Sequence, residues 1–255
     1  MSLPLFSIIT VTRNAAQVLE QTILSVVNQT YPNIEYLIID GASQDGTVAI
    51  IRKYESGITH WISEPDKGLY DAMNKGIWAA TGDYVWFLNA GDVFKHNEIV
   101  AELAEIAVQN GLPDILYGET DLMDQQGNVF AERRLKTPKN LTWKSFRMGM
   151  LVCHQAFIVK RSIAPEYNLQ YRFSADFDWC IRCLMETKKI VNTRLRLVNY
   201  IVEGLTTTNR KKSLKERYAI MCKYYGTFAT SIAHVWFACR FYWAKWTKKQ
   251  YKSLS

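Results

Sequence analysis

At 255 residues, with 48% hydrophobic and 22% charged side chains, the chain has the size and composition of one large globular domain, or of one domain with an appendage. Its net charge of +7 is unevenly distributed. Eleven Lys and Arg residues and a single acid lie between Thr206 and Ser255, which leaves the preceding residues slightly acidic. This distribution disfavours a broad nucleic-acid-binding track along the body, and the lack of an uncharged stretch of about 18 residues predicts no membrane-spanning helix.

The amino terminus and the cysteines indicate a cytosolic protein. Leu3–Phe6 runs directly into a predicted strand and has no basic leader, so we expect no secretory signal peptide. The five cysteines are odd in number and lack paired metal-ligand spacings; Cys180 and Cys183 have CxxC spacing, but within a helical pattern. We therefore expect reduced thiols rather than disulfides or a zinc site.

The first half of the chain alternates predicted strands and helices. Ser7–Val11 is a β-rich run, and Asn14 is placed to cap the helix that follows it. The next elements are a strand ending in Asp40, a helix from Asp45 or Thr47 to Tyr54, a short strand His60–Ile62, a helix from Leu69 to a cap at Gly82, and a strand Tyr84–Leu88. This order predicts a doubly wound, mostly parallel sheet with right-handed crossovers.

The pattern changes after Asp92. The predicted elements are a helix through about Gln109, a strand Asp114–Tyr117, a hairpin around Gln126 and Gly127, a basic, loop-like stretch Lys136–Met150, a strand Ala156–Val159 and a helix Trp179–Glu186. We interpret the first half of the chain as a nucleotide platform and the second as an acceptor-binding half.

Two carboxylates follow buried strands in the first hundred residues. Asp40 and Asp92 each come just after an apolar strand, at the edge where open α/β sheets bind ligands, although either could simply cap a helix or a turn. No GxGxxG or GxxxxGK[ST] motif follows the first strand, which disfavours a dinucleotide-binding dehydrogenase and a P-loop ATPase. The turn at Thr12–Asn14 can instead offer backbone groups to a base. Asp40 can accept the imide N–H of uracil, or equally the N1–H of guanine.

Five segments, in order along the chain, resemble the family 2 glycosyltransferases. They are Ser7–Asn14, Asp40–Thr47, Asp66–Gly76, Ala80–Tyr84 and Phe87–Asp92. The resemblance is dense over residues 5–100 and thinner over 150–185. Within the family, Glu64–Asn74 is similar to bacterial enzymes of the colanic-acid, WcaE-like type that build exopolysaccharide or O-antigen. The resemblance implies a GT-A fold, an α/β fold with a mixed, mostly parallel sheet flanked by helices, and an inverting hexosyltransferase that uses a nucleotide-diphospho-sugar.

This resemblance implies a division of the chain and a set of donor residues. Residues 1–205 would form the GT-A domain, with a nucleotide-sugar-binding half at 1–95 and an acceptor-binding half at 96–205, and residues 206–255 an amphipathic helical tail. The residues expected at the donor are Thr12, Arg13, Asn14, Asp40, Asp66, Lys67, Gly68, Asn74, Asn89, Ala90 and Gly91. Asp40 would hold the base and Thr12 would contact it through its backbone. Arg13 and Lys67 could pair with phosphates or be surface charges.

The resemblance also implies a divalent cation, Mn²⁺ or Mg²⁺, bound by Asp92 at the diphosphate. A hard cation with oxygen ligands neutralises the charge that develops on the leaving nucleotide diphosphate. The family's turn commonly reads Asp-x-Asp-Asp, whereas this chain has Asn89, Gly91 and Asp92 at the acidic positions, so one charged ligand remains. Asn89 could assist. His154 is a further candidate ligand, or a polar residue beside a strand.

An inverting transfer needs a base for the acceptor hydroxyl. The family has a Glu-Asp pair at a helix start in its second half, and here Ala175 replaces the Glu while Asp176 matches the Asp. The resemblance therefore implies that Asp176 is the base, with Asp178 as the alternative. Both could instead be first-turn acids that stabilise the helix dipole by ~0.3–1 kcal/mol each.

Residues 232–252 form the aromatic and basic part of the tail. Val235, Trp236, Cys239, Trp243 and Trp246 share one face of a predicted helix, and Lys245, Lys248, Lys249 and Lys252 cluster roughly opposite. This pattern is typical of a helix lying in the plane of an anionic membrane surface, and a core-packing helix with a solvated face is the alternative. A lipid-linked acceptor would make a membrane location useful.

Together these features predict a metal-assisted, inverting glycosyltransferase that is cytoplasmic and peripheral at the inner face of a bacterial membrane. It would move a sugar, with a UDP-sugar favoured, to a glycan or lipid-linked glycan in surface polysaccharide biosynthesis. A nucleotide-sugar-binding protein without catalysis is one alternative. A basic nucleic-acid-binding protein is another, although no nucleic-acid-binding module is recognised and we expect no nucleic-acid partner. The sequence does not decide the sugar, the linkage or the oligomeric state.

Overall fold

The structure, a computed structural model, describes residues 3–201, 209–237 and 239. The strands in this part of the chain are β1 (Phe6–Thr12), β2 (Ile34–Asp40), β3 (His60–Ser63), β4 (Tyr84–Phe87), β5 (Val93–Phe94), β6 (Ile115–Met123), β7 (Val129–Glu132), β8 (Phe157–Lys160) and β9 (Ile190–Ile201). The helices are α1 (Leu19–Val27), α2 (Thr47–Lys53), α3 (Leu69–Ala79), α4 (Ile99–Gln109), α5 (Ala175–Glu186) and α6 (Arg210–Tyr225), and residues 227–237 form α7.

The strands form one mixed sheet in the order β3-β2-β1-β4-β8-β6-β9-β5, with β7 beside β6. Strands β1 to β4, β6 and β9 point the same way, whereas β5, β7 and β8 are antiparallel to their neighbours. Helices α1, α2 and α3 provide the crossovers between the parallel strands of the first half. The predicted α/β fold with a mostly parallel sheet flanked by helices is confirmed.

Both faces of the sheet are buried because side chains alternate along each strand. Ile8 and Ile38 lie in the core that α1, α2 and α4 cover, whereas Ile9 and Ile39 lie in the core that α3, α5 and α6 cover. All four of these side chains are buried. Each contributes roughly 1.5–3 kcal/mol by leaving water, so the central strands are firmly held.

The register of the parallel strands aligns their polar carboxyl ends. Thr12 pairs with Asp40, and Asp40 pairs with Ser63. The chain leaving β4 continues beside β1, where the N–H of Ala90 donates to the carbonyl of Val11 at 3.3 Å. One edge of the sheet therefore carries the ends of β1, β2 and β3 and the turn after β4 side by side.

Two helix boundaries differ from the sequence prediction. Asn14 does not cap α1, which begins at Leu19; Asn14 lies earlier, at φ 49°. Helix α3 ends at Ala79 rather than at Gly82. Gly82 instead allows a close approach to the start of β1, because a Cβ at this position would lie 2.7 and 2.9 Å from backbone atoms there.

The second half contains the predicted strand β8 and hairpin, together with elements that the sequence analysis did not identify. The hairpin is confirmed by the antiparallel pairing of β6 and β7, with Gly127 at φ 88° in the turn. Helix α5 begins at Ala175, earlier than expected. Strand β9 was not predicted, and it pairs parallel to β6 and antiparallel to β5. All five cysteines are free thiols.

Helix α6, in the predicted tail, packs on the main body. Ile220, Met221 and Tyr225 are buried in the same core as Phe177 of α5. Residues 240–252, which carry most of the predicted membrane-facing aromatic and basic side chains, lie outside the described residues. None of the helices in the described ranges is long and apolar enough to cross a membrane.

Candidate active site

Asp40 lies at the end of β2 and is fully buried. Its carboxylate accepts hydrogen bonds from the N–H and Oγ of Ser43, at 2.9 and 2.5 Å, and from Oγ of Ser63, at 2.6 Å. The neighbouring Thr12 carbonyl accepts the N–H of Gly41 at 2.9 Å, and the buried Thr12 Oγ1 has no hydrogen-bond partner within the described part of the chain. Thr12 thus carries an unpartnered hydroxyl at this edge, and its predicted backbone contact with a base stays a prediction.

Hydrogen bonds join the turn after β1 to the turn after β2. The N–H of Asn14 donates to Oγ of Ser43 at 2.7 Å, and Asn14 Oδ1 accepts the N–H of Gln44 at 2.9 Å. The positive φ of Asn14 is one that Asn adopts more readily than most residues. Arg13 is exposed beside it. Asn14 thus shapes the turn, and Arg13 supplies a cation at the same edge.

Asp66 lies directly over the backbone of Gly41. A Cβ at Gly41 would be 2.2 Å from Asp66 Oδ2 and 3.3 Å from Cδ of Arg13. The other oxygen of Asp66 accepts the N–H of Gly68 at 2.8 Å, and the side chain of Lys67 is exposed. A side chain at position 41 would displace the Asp66 carboxylate, so glycine here allows the Asp66 loop to lie against the end of β2.

Asn74 is buried within α3 and bonds to the backbone of Tyr167. Its Nδ2 donates to the Tyr167 carbonyl at 3.0 Å, and its Oδ1 accepts the Tyr167 N–H at 2.6 Å. This pairing joins α3 to the loop before α5. It gives Asn74 a structural role, and its predicted contact with the donor stays a prediction.

The turn after β4 has a shape that only glycine suits. Gly91 has φ 99°, and a Cβ there would lie 2.9 Å from Cδ1 of Ile201. The Gly91 N–H donates to Oγ1 of Thr22 at 2.8 Å, and the Asp92 N–H donates to the Asn89 carbonyl at 2.9 Å. The turn opens into a cavity of about 200 Å³ lined by Val18, Asn89, Ala90, Asp92, Gln125, Gln155 and Ile201.

Asp92 is almost fully buried, and burial raises its pKa to about 7. Its carboxylate accepts Nε2 of Gln155 at 2.9 Å and the N–H of Ile201 at 3.2 Å. The thiol of Cys153 donates to Gln155 Oε1 at 2.8 Å, which turns the amide nitrogen of Gln155 toward Asp92. Burial raises the pKa of Cys153 to about 11, so this thiol keeps its proton and stays a donor.

The residues of the turn fit a divalent cation that is shared with a substrate. Asn89 Oδ1 is buried without a hydrogen-bond partner in the described residues, and it lines the same cavity as the Asp92 carboxylate. Both are hard oxygen donors, and Mg²⁺ typically takes only one or two carboxylates and completes its shell with phosphate oxygens and water. Across residues 3–201, 209–237 and 239, no three His, Cys, Asp or Glu side chains converge on a metal position.

His154 is buried, and its ring stacks on Phe87 with centroids 5.6 Å apart. Burial lowers the pKa of His154, so the ring is neutral at physiological pH. Its Nε2 has no hydrogen-bond partner in the described residues. The ring therefore keeps a free nitrogen, and its predicted role as a metal ligand stays a prediction.

Asp176 lies in the first turn of α5 and is partly exposed. Its Oδ1 accepts the hydroxyl of Tyr70 at 3.1 Å and the N–H of Phe177 at 2.9 Å. Tyr70 belongs to the first turn of α3, the helix that follows the carboxyl end of β3. The hydrogen bond from the Tyr70 hydroxyl therefore ties Asp176 to the start of α3.

Asp178 differs from Asp176 in every respect that matters for a base. It is fully buried, and its carboxylate accepts Nε of Arg182 at 2.7 Å, the hydroxyl of Tyr224 at 2.8 Å and Nζ of Lys223 at 3.4 Å. The two cations neutralise the charge of Asp178, and together with the hydroxyl they occupy its carboxylate oxygens. The structure therefore gives Asp178 a structural role that joins α5 to α6, and it favours Asp176 over the alternative base.

Several residues of the site were missed by the sequence analysis. Gln155 and Cys153 orient Asp92, Tyr70 orients Asp176, and Ser43 and Ser63 hold Asp40. Tyr70 and Ser43 lie within segments that already resembled the family, and those positions were the available signal. The remaining three residues, Cys153, Gln155 and Ser63, act through contacts that the order of residues along the chain does not display.

Comparison with known sequences gives consistent relatives. The sequence profile for Glycosyl transferase family 2 matches residues 7–165. An uncharacterized glycosyltransferase of Mycobacterium tuberculosis is 35% identical over 189 residues, covering 72% of this chain and 70% of the relative. A PGL/p-HBAD biosynthesis glycosyltransferase of Mycobacterium bovis is 33% identical over 193 residues, covering 72% and 71% of the two chains.

Solved structures share the fold at low sequence identity. S. aureus TarS 1–349 in complex with UDP superimposes with a TM-score of 0.68 at 14% identity, over 86% of this chain and 65% of that one. The mannosyltransferase PcManGT from Pyrobaculum calidifontis, in complex with GDP-Man and Mn²⁺, gives a TM-score of 0.62 at 14% identity, over 94% of this chain and 76% of that one. At this identity the likeness concerns the fold alone.

Proposed function

The chain belongs to glycosyl transferase family 2, and we propose that it transfers a sugar from a nucleotide-diphospho-sugar to a glycan or lipid-linked glycan, with inversion at the anomeric carbon. One observation carries the proposal. Asp40 ends β2, Asp92 closes the turn after β4, and Asp176 is bonded to Tyr70 in the first turn of α3, the helix that follows β3. The three carboxylates lie in different settings, because they differ in burial and in hydrogen-bond partners. These settings suit binding of a base, charge neutralisation and proton transfer in turn.

The base of the nucleotide binds at the edge formed by Thr12 and Asp40. Asp40 accepts the imide N–H of uracil in exchange for one of its serine hydroxyls, and the unpartnered hydroxyl of Thr12 supplies a further polar contact. Arg13 is an exposed cation at this edge and would pair with a phosphate. UDP is favoured because the imide N–H of uracil suits the Asp40 carboxylate and TarS, a neighbour in fold, was solved with UDP-GlcNAc. The N1–H of guanine could use the same carboxylate, so the nucleotide panel below decides between UDP and GDP.

Asp92 and Asn89 would hold Mn²⁺ or Mg²⁺ at the diphosphate. When bound, the cation stabilises the negative charge that develops on the leaving nucleotide diphosphate. Gln155 holds the Asp92 carboxylate in one orientation, and Cys153 fixes the orientation of Gln155. The support for metal assistance is the oxygen donor set described above and the Mn²⁺ in the PcManGT complex.

Asp176 is the base of the transfer. Its Oδ1 is held by the Tyr70 hydroxyl and a backbone N–H, and its other oxygen takes the proton of the acceptor hydroxyl. As the proton moves, the acceptor oxygen attacks the anomeric carbon and the bond to the diphosphate breaks on the opposite face. General base catalysis of this kind typically contributes ~10²–10⁴-fold.

The acceptor and the cellular location form the finer part of the proposal. The relative of Mycobacterium bovis is named for PGL/p-HBAD biosynthesis, which favours a role in building a glycan-bearing product of the cell, such as a surface polysaccharide. Three exposed apolar side chains of α7, Ile232, Val235 and Trp236, suit contact with a membrane surface. The enzyme is then cytoplasmic and peripheral at the inner face of the membrane.

A thermal-shift panel tests the donor site. UDP, GDP, dTDP and CMP are each added with and without Mn²⁺, and a ligand at 100 times its dissociation constant stabilises a fold by about 2.7 kcal/mol. We expect a Mn²⁺-dependent shift with UDP that Asp92→Asn removes. A shift with GDP alone would keep the enzyme class and change the nucleotide. No shift with any nucleotide would refute the donor site.

Turnover separates the enzyme from a nucleotide-sugar-binding protein without catalysis. Hydrolysis of the bound UDP-sugar, which many transferases perform slowly without an acceptor, is measured for the parent and for Asp176→Asn. We expect measurable release of UDP by the parent and loss of release by the variant, with equal nucleotide shifts. Equal shifts without release by either protein would favour the binding protein.

A further inference from the structure

An apolar groove, separate from the cavity at the turn after β4, lies where residues 147–148 meet helices α6 and α7. It has a volume of about 460 Å³, within the range of small-molecule sites, and lies between the 3₁₀ helix Trp143–Met148, α6 and α7. Met148, Met221, Tyr225, Ile232 and Trp236 form most of its walls. Apolar walls of this kind favour the binding of a hydrocarbon chain, which is buried from water there.

Two exposed cations lie on the 3₁₀ helix that forms one wall of the groove. Arg147 lines it, with its guanidinium over the Tyr225 ring at 5.2 Å, and Lys144 lies over the ring of Trp143 at 5.7 Å. Neither side chain forms an ion pair within the described residues. The surrounding stretch Lys136–Met150 contains four basic residues and no acid. The groove thus combines apolar walls with an uncompensated positive edge, which matches a hydrocarbon chain that ends in a phosphate.

The positive edge is connected to the start of α5. Trp143 stacks on Tyr225 at 5.6 Å, and Phe146, next to Arg147, packs against Phe177 with ring centroids 5.5 Å apart. Phe177 directly follows Asp176. A ligand whose chain lies in the groove and whose phosphate meets Arg147 and Lys144 therefore has its polar end directed toward the helix that carries the base.

We propose that this groove binds the hydrocarbon chain of an acceptor glycan that is linked to a lipid phosphate or diphosphate, with Arg147 and Lys144 at the phosphate. The inference rests on the proposed function in that it names the acceptor class of the same transfer reaction. It assigns one site to one ligand chemistry, a single long alkyl or prenyl chain bearing a phosphate or diphosphate. Inorganic phosphate should not bind in the same way, because it lacks the hydrocarbon chain. Binding to a membrane surface would not depend on the groove.

The test uses n-alkyl phosphates of eight, ten and twelve carbons, titrated below their micelle concentrations into the full chain in a calorimeter. Each buried methylene group contributes ~0.8 kcal/mol, so two added carbons are expected to tighten binding by about 15-fold. Dodecanol should bind more weakly than dodecyl phosphate, and inorganic phosphate should give no measurable heat. Affinities that do not depend on chain length would overturn the proposal.

A matched pair of variants on α7 separates the groove from a general surface. Ile232 lines the groove and Val235 does not, yet both side chains are largely exposed, 57% and 64%. Ile232→Asp should weaken dodecyl phosphate binding at least tenfold, whereas Val235→Asp should bind like the parent. Equal losses would indicate adsorption to an apolar surface, and no loss in either would indicate that another part of the chain covers the groove; both results contradict the proposal.

Arg147→Gln tests the charged edge of the groove, and nucleotide binding at the donor site serves as the control for correct folding. Arg147→Gln should keep the dependence on chain length and lose at least threefold of the preference for dodecyl phosphate over dodecanol. All variants should keep the parent's nucleotide shift. A protein that binds nucleotide but not alkyl phosphate contradicts this inference alone, whereas one that binds alkyl phosphate but no nucleotide contradicts the proposed function alone.

Discussion

The buried carboxyl group of Asp92 should make the protein less stable as the pH rises. Burial raises its pKa from 3.8 to about 7. Below about pH 4 the group is protonated in both the folded and the unfolded chain, and it carries no charge penalty. Between these two pKa values the unfolded chain gives up the proton first, so the free energy of unfolding falls with rising pH and the full loss is reached above pH 7.

The magnitude follows from the size of the shift. About three pKa units at ~1.4 kcal/mol each correspond to a loss of up to ~4 kcal/mol at pH 8. Asp92→Asn removes the charge but loses one of the two hydrogen bonds to Gln155 and Ile201, at a cost of about 1–2 kcal/mol. The variant should therefore be ~2–3 kcal/mol more stable than the parent at pH 8 and about equal to it at pH 5.

The assay is urea unfolding at pH 5 and pH 8 with EDTA present. Asp45→Asn is the control, because hydrogen bonds from Thr47 lower the pKa of Asp45 and confine its titration to below about pH 4. This control should lose the same stability at both pH values. Adding Mn²⁺ at pH 8 should stabilise the parent and leave Asp92→Asn unchanged. An Asp92→Asn variant that differs from the parent equally at pH 5 and pH 8 would refute the reasoning.

Two further pairs of variants test the base and the nucleotide edge. Asp176→Asn should lower kcat by ~10²–10⁴-fold with unchanged nucleotide binding, whereas Asp178→Asn should lower the free energy of unfolding by roughly 2–3 kcal/mol, because it leaves two partly exposed cations unpaired. Unfolding and turnover assays that gave the reverse pattern would exchange the two roles. Gly41→Ala should weaken nucleotide binding at least tenfold because its Cβ would lie 2.2 Å from Asp66 Oδ2, whereas Gly46→Ala, with a contact at 3.5 Å, should bind like the parent. Equal affinities in a titration would show that the Asp66 loop is not part of the site.

The first half of the fold could be predicted because its signals are local. β1 and β2 are apolar runs bounded by turn residues, and the prediction placed them within a residue or two at their carboxyl ends. Parallel strands align those ends at one edge, so the ends of the strands indicated where Asp40 and Asp92 would lie. The positions of the acidic residues, and not their detailed partners, followed from this rule.

The detailed partners could not be predicted because they join residues that are far apart in the chain. Gln155 bonds to Asp92 across 63 positions, and Asn74 bonds to Tyr167 across 93. Neither pair has a local pattern, since an amide beside a strand or within a helix is equally compatible with solvent. Strand β9 was missed for a related reason, because it belongs to the sheet only through its pairing with β6 and β5.

The basic composition after residue 205 predicted a helical tail, and within the described residues α6 packs against α5, the helix that carries Asp176. The carboxylate of Glu216 accepts the N–H groups of Arg172, Phe173 and Ser174 at 3.0, 2.7 and 3.0 Å. These groups lead directly into α5, where unsatisfied N–H groups would otherwise need water. The single acid of the tail thus fixes the start of α5 and, through it, the position of Asp176. Because α6 also lines the apolar groove, Glu216 joins one wall of the groove to the helix that carries Asp176.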